Sequence, residues 1–503
     1  MKKRYLIPAA ALAMFVSMSL ASCGSSVANA GEAFKLLSID DLKENSSEDK
    51  KIKVEFWHSF GHNIAKELNP LIDQFEVEMA KQGIYIDVNA KSIGGGYDGL
   101  RSRVNQGTKT NSIPTMILGY PDHFADYIAS DILLPLDNFV NASDKEIGFT
   151  EEDKEDFVES YWKENQMMKD NKQIIAGIPF NKSTEIMYYN ASVVNPILED
   201  NGWLVDGKWK NPTWDQLWTV STTLKDKVSK GTCTWTYNNA NYSATKTTYP
   251  VYIDSEANFF ITTGRQWSQK GQDVYTKLDE NGNGLVVFDN ETTKTAQNYF
   301  KEKADAGLWN LPKKVNQSYG SNLMVNNEAF ISIGSTAGVN NNASTKYELG
   351  VTGIPQKSYD ENAVQSVIQQ GTNAAILTKN SNNLTRLASW LLIRYLTSTD
   401  VTAKFSMATG YLPVRESAVD SEEFQEFLKD ADSIFGGATA KAINSAYDQN
   451  DYFYTDVAFP KSSIVRDECD TMIQSIYCNN KDINKAMEDA YKRLKDYKIA
   501  CDK

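Results

Sequence analysis

Between residues 51 and 118 the chain alternates strand-like and helix-like patterns, and this alternation restricts the fold more than any other feature. Lys51-Ile-Lys-Val-Glu-Phe-Trp57 places Ile52, Val54 and Phe56 on one face, the period of a half-buried strand. Ile64, Leu68, Leu71, Ile72, Phe75 and Met79 follow at helical spacing, and Gly83 closes that helix. Residues 84–88 and 115–118 read as further strands, with a short helix over 100–106 between them. Strand, helix, strand, helix, strand begins a mostly parallel α/β sheet covered by helices. At 503 residues the chain is too long for one ordinary core, so two or three domains are expected.

The stretch 174–190, IIAGIPFNKSTEIMYYN, has two apolar runs joined through Pro179 and the polar cluster Asn181, Lys182, Ser183 and Thr184. Proline cannot donate to a ladder, so Pro179 predicts an edge or a change of direction between two strands. Short polar side chains at the mouth of a sheet are where α/β proteins hold small ligands. Ser183 and Thr184 are therefore expected to face a polar ligand at a crossing between two lobes. Further on, Thr213-Trp-Asp-Gln216 supplies an N-cap and an N3 glutamine, so Trp214 is expected to start a helix. Residues 329–333, 349–355 and 374–378 read as strands, 387–407 as one amphipathic helix ending at Gly410, and the tail after Arg466 as helical.

The N-terminus carries a separate signal. Lys2, Lys3 and Arg4 precede an apolar run over 5–20, then Leu20-Ala-Ser-Cys23. That order is an export leader over 1–22 rather than a membrane span. The four residues ending at Cys23 look like a bacterial lipobox, which makes Cys23 the lipidated residue and 23–50 a polar tether at the extracytoplasmic side of a membrane. The net charge of −13 becomes about −16 once the leader cations are removed. An acidic surface repels nucleic acid and anionic lipid, so contact with the membrane is expected through the lipid alone. Cys233, Cys469, Cys478 and Cys501 allow three pairings or none.

Three motifs have plain readings. Gly94-Gly-Gly-Tyr-Asp-Gly99 fits GxGxxG, yet an exported chain is not supplied with nicotinamide cofactors, and a ligand-contacting loop is expected. His58 and His62 straddle a strand–helix junction instead of sharing a helix face, so a cleft or helix-start role is expected for His58. Asp279-Glu-Asn-Gly-Asn-Gly284 starts like a calcium loop, but its twelfth position is Asn290, and an Asn-Gly turn explains it as well. No cofactor or metal is expected.

Phe56-Trp-His-Ser59, the Tyr97 loop, Pro179-Phe-Asn-Lys-Ser-Thr184 with Tyr188-Tyr-Asn190, Pro212-Thr-Trp-Asp215 and Gly410-Tyr-Leu-Pro-Val414 occur in that order. Together they resemble the family 1 extracellular solute-binding proteins of ABC importers, nearest the branch of glycerol-3-phosphate and carbohydrate binders. The resemblance implies a two-lobe periplasmic-binding-protein-like α/β fold of type II with three hinge crossings. Lobe I would be 51–174 plus 353–408, and lobe II 175–352 plus 409–503. It implies a monomer that binds a small molecule in the cleft, delivers it to permease subunits and breaks no bond. Carried over singly, ligand-binding positions fall on Tyr97, Ser183, Thr184, Ser335, Gly371 and Tyr411.

Some positions depart from the family pattern. Asp122 stands where a glutamate is expected, Tyr252 where a stacking tryptophan is expected, and Lys461 is the only cation near the C-terminal Pro460 motif. A phosphate ester wants an arginine fork or a helix N-terminus, so an uncharged mono- or oligosaccharide is expected. Glycerol 3-phosphate or a related phosphodiester is the alternative ligand. A surface glycoside hydrolase, which needs a defined carboxylate pair, and a solute sensor are the alternative roles.

Overall fold

The computed structural model describes residues 32–244, 246–429 and 436–502; the leader 1–22 and Cys23 lie outside them. The expected tether is folded in part. Helix α1 (Ile39–Asn45) has a Ser38–Asp41 capping box and buries Ile39 and Leu42 against the first lobe. Two apolar residues three apart on a capped turn are enough to dock a stretch whose overall composition is polar.

The opening alternation folds as its patterns predict. Strand β1 (Ile52–His58) pairs in parallel with β2 (Ile86–Ser92) and β3 (Met116–Gly119). Ile52, Val54, Phe56, Met116 and Leu118 enter one apolar cluster, while Trp57 and Ile117 enter another on the opposite face. Helix α2 (His62–Lys81) covers the first face through Leu68, Ile72 and Phe75. Helices α3 (Gly96–Gly107) and α4 (Pro121–Ala129) cover the second through Leu100, Val104, Phe124 and Tyr127.

The stretch around Pro179 overturns its expectation. It forms one strand, β4 (Ile178–Asn190), with all thirteen residues buried. The second lobe adds β5 (Val251–Ile253), β6 (Trp309–Asn310), β7 (Ile331–Ser335) and β8 (Leu349–Gly353), and β9 (Val367–Ile376) follows. The sheet runs β6-β5-β7-β4-β9-β3-β1-β2, with β8 also on β4. The first half of β4 pairs antiparallel with β9, and its second half lies between β7 and β8. Pro179 is tolerated there because β4 itself bulges beside it: Asn181 and Pro179 face the consecutive residues Thr372 and Asn373, so Phe180 is the extra residue. A bulge leaves room for a residue with no N–H to give.

The chain crosses between lobes on β4, returns on β9, and crosses again near 410–414, where Leu412 bridges Lys182. The return expected at residue 353 falls within β9 instead. Ile354, Val367 and Ile368 pack in the second lobe's core, whereas Ala374 and Ile376 pack in the first's.

Helix α5 (Trp214–Ser229) starts at the Thr213–Gln216 capping box, and Trp214 stacks on Trp218 and meets Phe300 edge-on, inside the core. Helices α6 (Glu256–Trp267) and α7 (Glu291–Asp305) pack beside it. The single helix expected over 387–407 is two, α8 (Asn383–Leu396) and α9 (Thr399–Thr409), broken where Ser398 turns extended to begin the next helix; Gly410 caps α9 at φ +79°. Helices α10 (Ser462–Tyr477) and α11 (Ile483–Asp496) complete the second lobe. All four described cysteines are free thiols. Asp279 closes the 279–284 turn by accepting the N–H groups of Asn281 and Asn283, and Asn290 caps α7.

One backbone position ties the crossing strands together. Gly371 sits at φ +100°, and a Cβ there would lie 2.0 Å from the Asn181 carbonyl oxygen. Gly371→Ala is expected to destabilise the protein by at least about 2 kcal/mol, from the left-handed backbone and the close approach together. Urea unfolding measures this, and an unchanged midpoint would contradict it.

Candidate functional site

Where the crossing strands leave the sheet, the lobes enclose a cavity of about 560 Å³, a size that suits a small ligand. A cavity of about 610 Å³ on the flank of the second lobe is lined by that lobe alone, so lobe closure leaves it unchanged. The interlobe cavity is the candidate site.

The first lobe supplies its aromatic wall. Tyr97, at the second position of α3, and Tyr120, the residue before α4, meet edge to face at 4.9 Å. Burial raises the pKa of Tyr97, and its hydroxyl interacts with Tyr411 and Asn181. Tyr411 does not line the cavity; its ring stacks on Phe405 with an interplanar angle of 4° and touches Phe60. It therefore supports Tyr97 from behind.

The hinge strands supply the floor, where Gln369, Gln370 and Gly371 of β9 line the cavity. Beneath them lies a buried ion pair, Lys182 with Glu164, both side chains almost wholly excluded from solvent. Glu164 also accepts from Gln369 (2.6 Å) and Asn373 (2.9 Å), and Lys182 reaches the Gly371 carbonyl at 3.4 Å. Burial pushes the Lys182 amine down, and the Glu164 charge pulls it back. Unpaired, either charge is costly at this depth; paired and hydrogen-bonded, they lock β4, β9 and residue 164 in one arrangement.

The second lobe supplies charge. Asp254, Glu256, Asn258, Asp456, Arg466 and Asp470 line the far wall. Ser255, between Asp254 and α6, takes a left-handed conformation at φ +60°, uncommon for a residue with a side chain and typical of functional sites. Arg466 donates to Asn258 at 2.5 Å and Asp456 at 2.8 Å. Burial opposes its charge, but the Asp456 carboxylate prevails and raises its pKa. Burial without a cation partner lifts Asp254 and Asp470 to about 7, and Glu185, behind Gln370, to about 8.

Across the mouth, Arg101 pairs with Asp467, and Asp126 accepts the Lys461 N–H at 2.7 Å and the Ser463 hydroxyl at 2.8 Å. These contacts join α3 and α4 to the start of α10, which is a closed arrangement of the lobes.

Of the residues singled out from sequence, Tyr97, Asp122 and Gly371 line the cavity. Ser183 is buried beside it and donates to Gln370 at 3.4 Å, while Thr184 donates to the Ile368 carbonyl at 2.9 Å within the hinge ladder. Ser335 caps the turn at Thr336–Gly338. Tyr252 is buried in the second lobe's core against Tyr188, Leu323 and Met324. Ser183, Thr184, Ser335 and Tyr252, like Tyr411, are off the cavity wall. Lys461 points its amine at the Tyr497 carbonyl; the arginine on the cavity wall is Arg466, six residues past Pro460. His58 accepts the Phe60 N–H through Nδ1 at 3.2 Å, at the strand's end.

Two lobes joined by three chain crossings, two of them strands, with a polar and aromatic cavity between them, define a ligand-capturing binding protein. Residues 71–431 match the family of bacterial extracellular solute-binding proteins, and the chain belongs to it. The sn-glycerol-3-phosphate-binding periplasmic protein UgpB of Escherichia coli O1:K1 is 24% identical over 75% of this chain and 77% of its own length; that of strain K12 is 23% identical over the same shares. UgpB of Mycobacterium tuberculosis, solved with glycerophosphocholine, superposes with a TM-score of 0.66 at 19% identity, covering 88% of this chain and 98% of that one. The acarbose-binding GacH receptor of Streptomyces glaucescens gives 0.65 at 16% identity, covering 88% and 98%, and maltose-bound MalE3 of T. maritima gives 0.64 at 14%, covering 88% and 99%. The fold is that of the two-lobe periplasmic binding proteins. No described helix is long and apolar enough to cross a membrane.

Glu185 makes the site's pH response testable. A carboxyl whose pKa is higher folded than unfolded contributes stability that is complete below its unfolded pKa, 4.5, and is lost as pH rises through about 8. His58, lowered to about 4 by burial, acts in the opposite sense, but its window closes near 6.5. Between about pH 6.5 and 8.5 the melting temperature of the ligand-free protein is therefore expected to fall more steeply than that of Glu185→Gln. Parallel melting curves across that range would remove Glu185 from the account.

Proposed function

We propose that this protein is the lipid-anchored extracytoplasmic binding component of an ABC importer, and that it captures a mono- or oligosaccharide between its lobes for delivery to the permease. The observation that carries the ligand class is the charge of the cavity wall: seven carboxylic side chains, one of them, Glu164, paired with Lys182 beneath the floor, against Lys313 and Arg466. Carboxylates and amides accept from sugar hydroxyls, and tyrosine rings pack on apolar sugar faces. A phosphate ester would enter a field of its own sign. The arginine a phosphate would need is already engaged by Asp456 and Asn258. Membership of the solute-binding family supports the importer role, and the Cys23 motif supports the anchor. The relatives found are binding proteins, which supports capture over the hydrolase reading.

A glycerol phosphate or phosphodiester ligand is the second reading. It is favoured by the glycerol-3-phosphate binders among the relatives and by the presence of Arg466 in the cleft.

Isothermal titration with mono- and oligosaccharides, and with glycerol 3-phosphate and glycerophosphodiesters, separates the two. A saccharide is expected to bind, and Tyr97→Ala to weaken it roughly tenfold through loss of the ring face. Tight glycerol phosphate binding with no saccharide binding would overturn the carbohydrate reading, and silence from both classes would overturn capture of either.

A further inference from the structure

The second-lobe wall is more acidic than its own cations neutralise. Asp254, Glu256 and Asp470 surround the N-terminus of α6, with Glu185 behind Gln370. Lys313 reaches Glu256 at 2.8 Å, and Arg466 is held by Asp456 at 2.8 Å. Among the described residues, no cation comes within salt-bridge distance of Asp254, Asp470 or Glu185. The helix end accounts for one of them, since Asp470 accepts the Ala257 N–H at 2.6 Å. Asp254, half-buried on the cavity wall, takes the Gly320 N–H at 2.9 Å, a single neutral donor. Burial and mutual repulsion both act on this group: Asp254 is raised by Glu256 as well as by desolvation, and Glu185 by Asp254.

A second observation points to a ligand here. Tyr275 Oη, Thr276 Oγ1 and Gln369 Oε1 belong to residues on the cavity wall that are more than nine-tenths buried, and these atoms have no hydrogen-bond partner in the protein. His123 Nδ1, across the cavity, is in the same state. Buried polar groups left unpaired are costly, and their pairing is what an occupant with several hydroxyl or amino donors provides. A bare divalent ion is a poor fit, because no cluster of three or more His, Cys, Asp or Glu among the described residues is arranged to hold one.

We propose that the cleft selects saccharides bearing a protonated amine, an amino sugar or basic glycoside, over neutral saccharides of the same size. The inference rests on the carbohydrate reading and narrows it. An ammonium offers three donors and a positive charge, which Asp254 and Asp470 accept from the second-lobe side. The ring hydroxyls pair with Gln369, Tyr275 and Thr276. The N-acetylated form of the same sugar keeps the shape and loses the charge.

The test is isothermal titration of the full chain at about pH 6.5 with glucosamine oligomers, their N-acetylated counterparts of equal length, and malto-oligosaccharides. Glucosamine oligomers are expected to bind at least tenfold more tightly than the N-acetylated ones, and Asp254→Asn or Asp470→Asn to bring that ratio toward one. Because the wall carboxyls are lifted to about 7, amine binding is also expected to expel a proton. The heat of binding should then change with the ionisation enthalpy of the buffer. Neutral saccharides binding as well as amines, with no proton release, would overturn the inference and leave carbohydrate capture standing. No binding by any saccharide would overturn both. Thermal melts of the two Asn variants separate loss of selectivity from loss of fold.

Discussion

The structure depends on the antiparallel ladder between Ile178–Thr184 and Gln369–Ala374, which is buried throughout and belongs to both lobes at once. A strand pair with polar side chains and no solvent must satisfy each group internally. Here the Lys182–Glu164 pair, the Gln369 and Asn373 amide N–H groups and the Thr184 hydroxyl are paired within the protein, while Gln369 Oε1 at the cavity floor is left without a protein partner. The polar residues that sequence reading assigns to a ligand thus have a prior duty: they hold the crossing strands in register. Gly371, at the cavity floor, allows the two backbones to approach to a distance that a side chain would prevent. Hinges of this kind localise motion, because the lobes on either side have separate apolar clusters and can move as bodies.

Ligand recognition follows from what each lobe brings to that floor. The first lobe brings rings set on helix starts, Tyr97 and Tyr120, and the second brings carboxyls around the start of α6. Neither wall is a complete site, so affinity couples to closure: a ligand that pairs with both walls favours the arrangement in which Arg101 meets Asp467 and Asp126 meets Lys461 and Ser463. Of these mouth contacts the Arg101–Asp467 pair is an ion pair open to screening by salt, whereas the buried floor pair is shielded.

Much of the fold was legible because it is written in local periods. The Ile52–Val54–Phe56 face, the Thr213–Gln216 capping box and the Gly410 stop are all where short-range rules put them. The failures come from tertiary context. Pro179 is read as a break because proline costs a ladder bond, and only the adjoining bulge at Phe180 in β4 shows why the strand continues. The 387–407 pattern is continuous in apolar spacing, so nothing short-range announces the turn at Ser398. The site was legible in its aromatic half, through Tyr97, and scarcely in its charged half. Asp254, Asp456, Arg466 and Asp470 come from separate elements, and Arg466 sits inside an amphipathic helix where an arginine reads as surface. Tyr252 looked like a ring for a ligand because nothing local distinguishes a core tyrosine from a stacking one.

If the cleft takes the proposed saccharide, the lobes are expected to close on it about the β4–β9 ladder. Small-angle X-ray scattering of the full chain, alone and with the saccharide that binds in titration, tests it directly. The radius of gyration is expected to fall when the saccharide saturates the cleft and to stay unchanged with glycerol 3-phosphate. An identical radius with and without the bound saccharide would contradict the account.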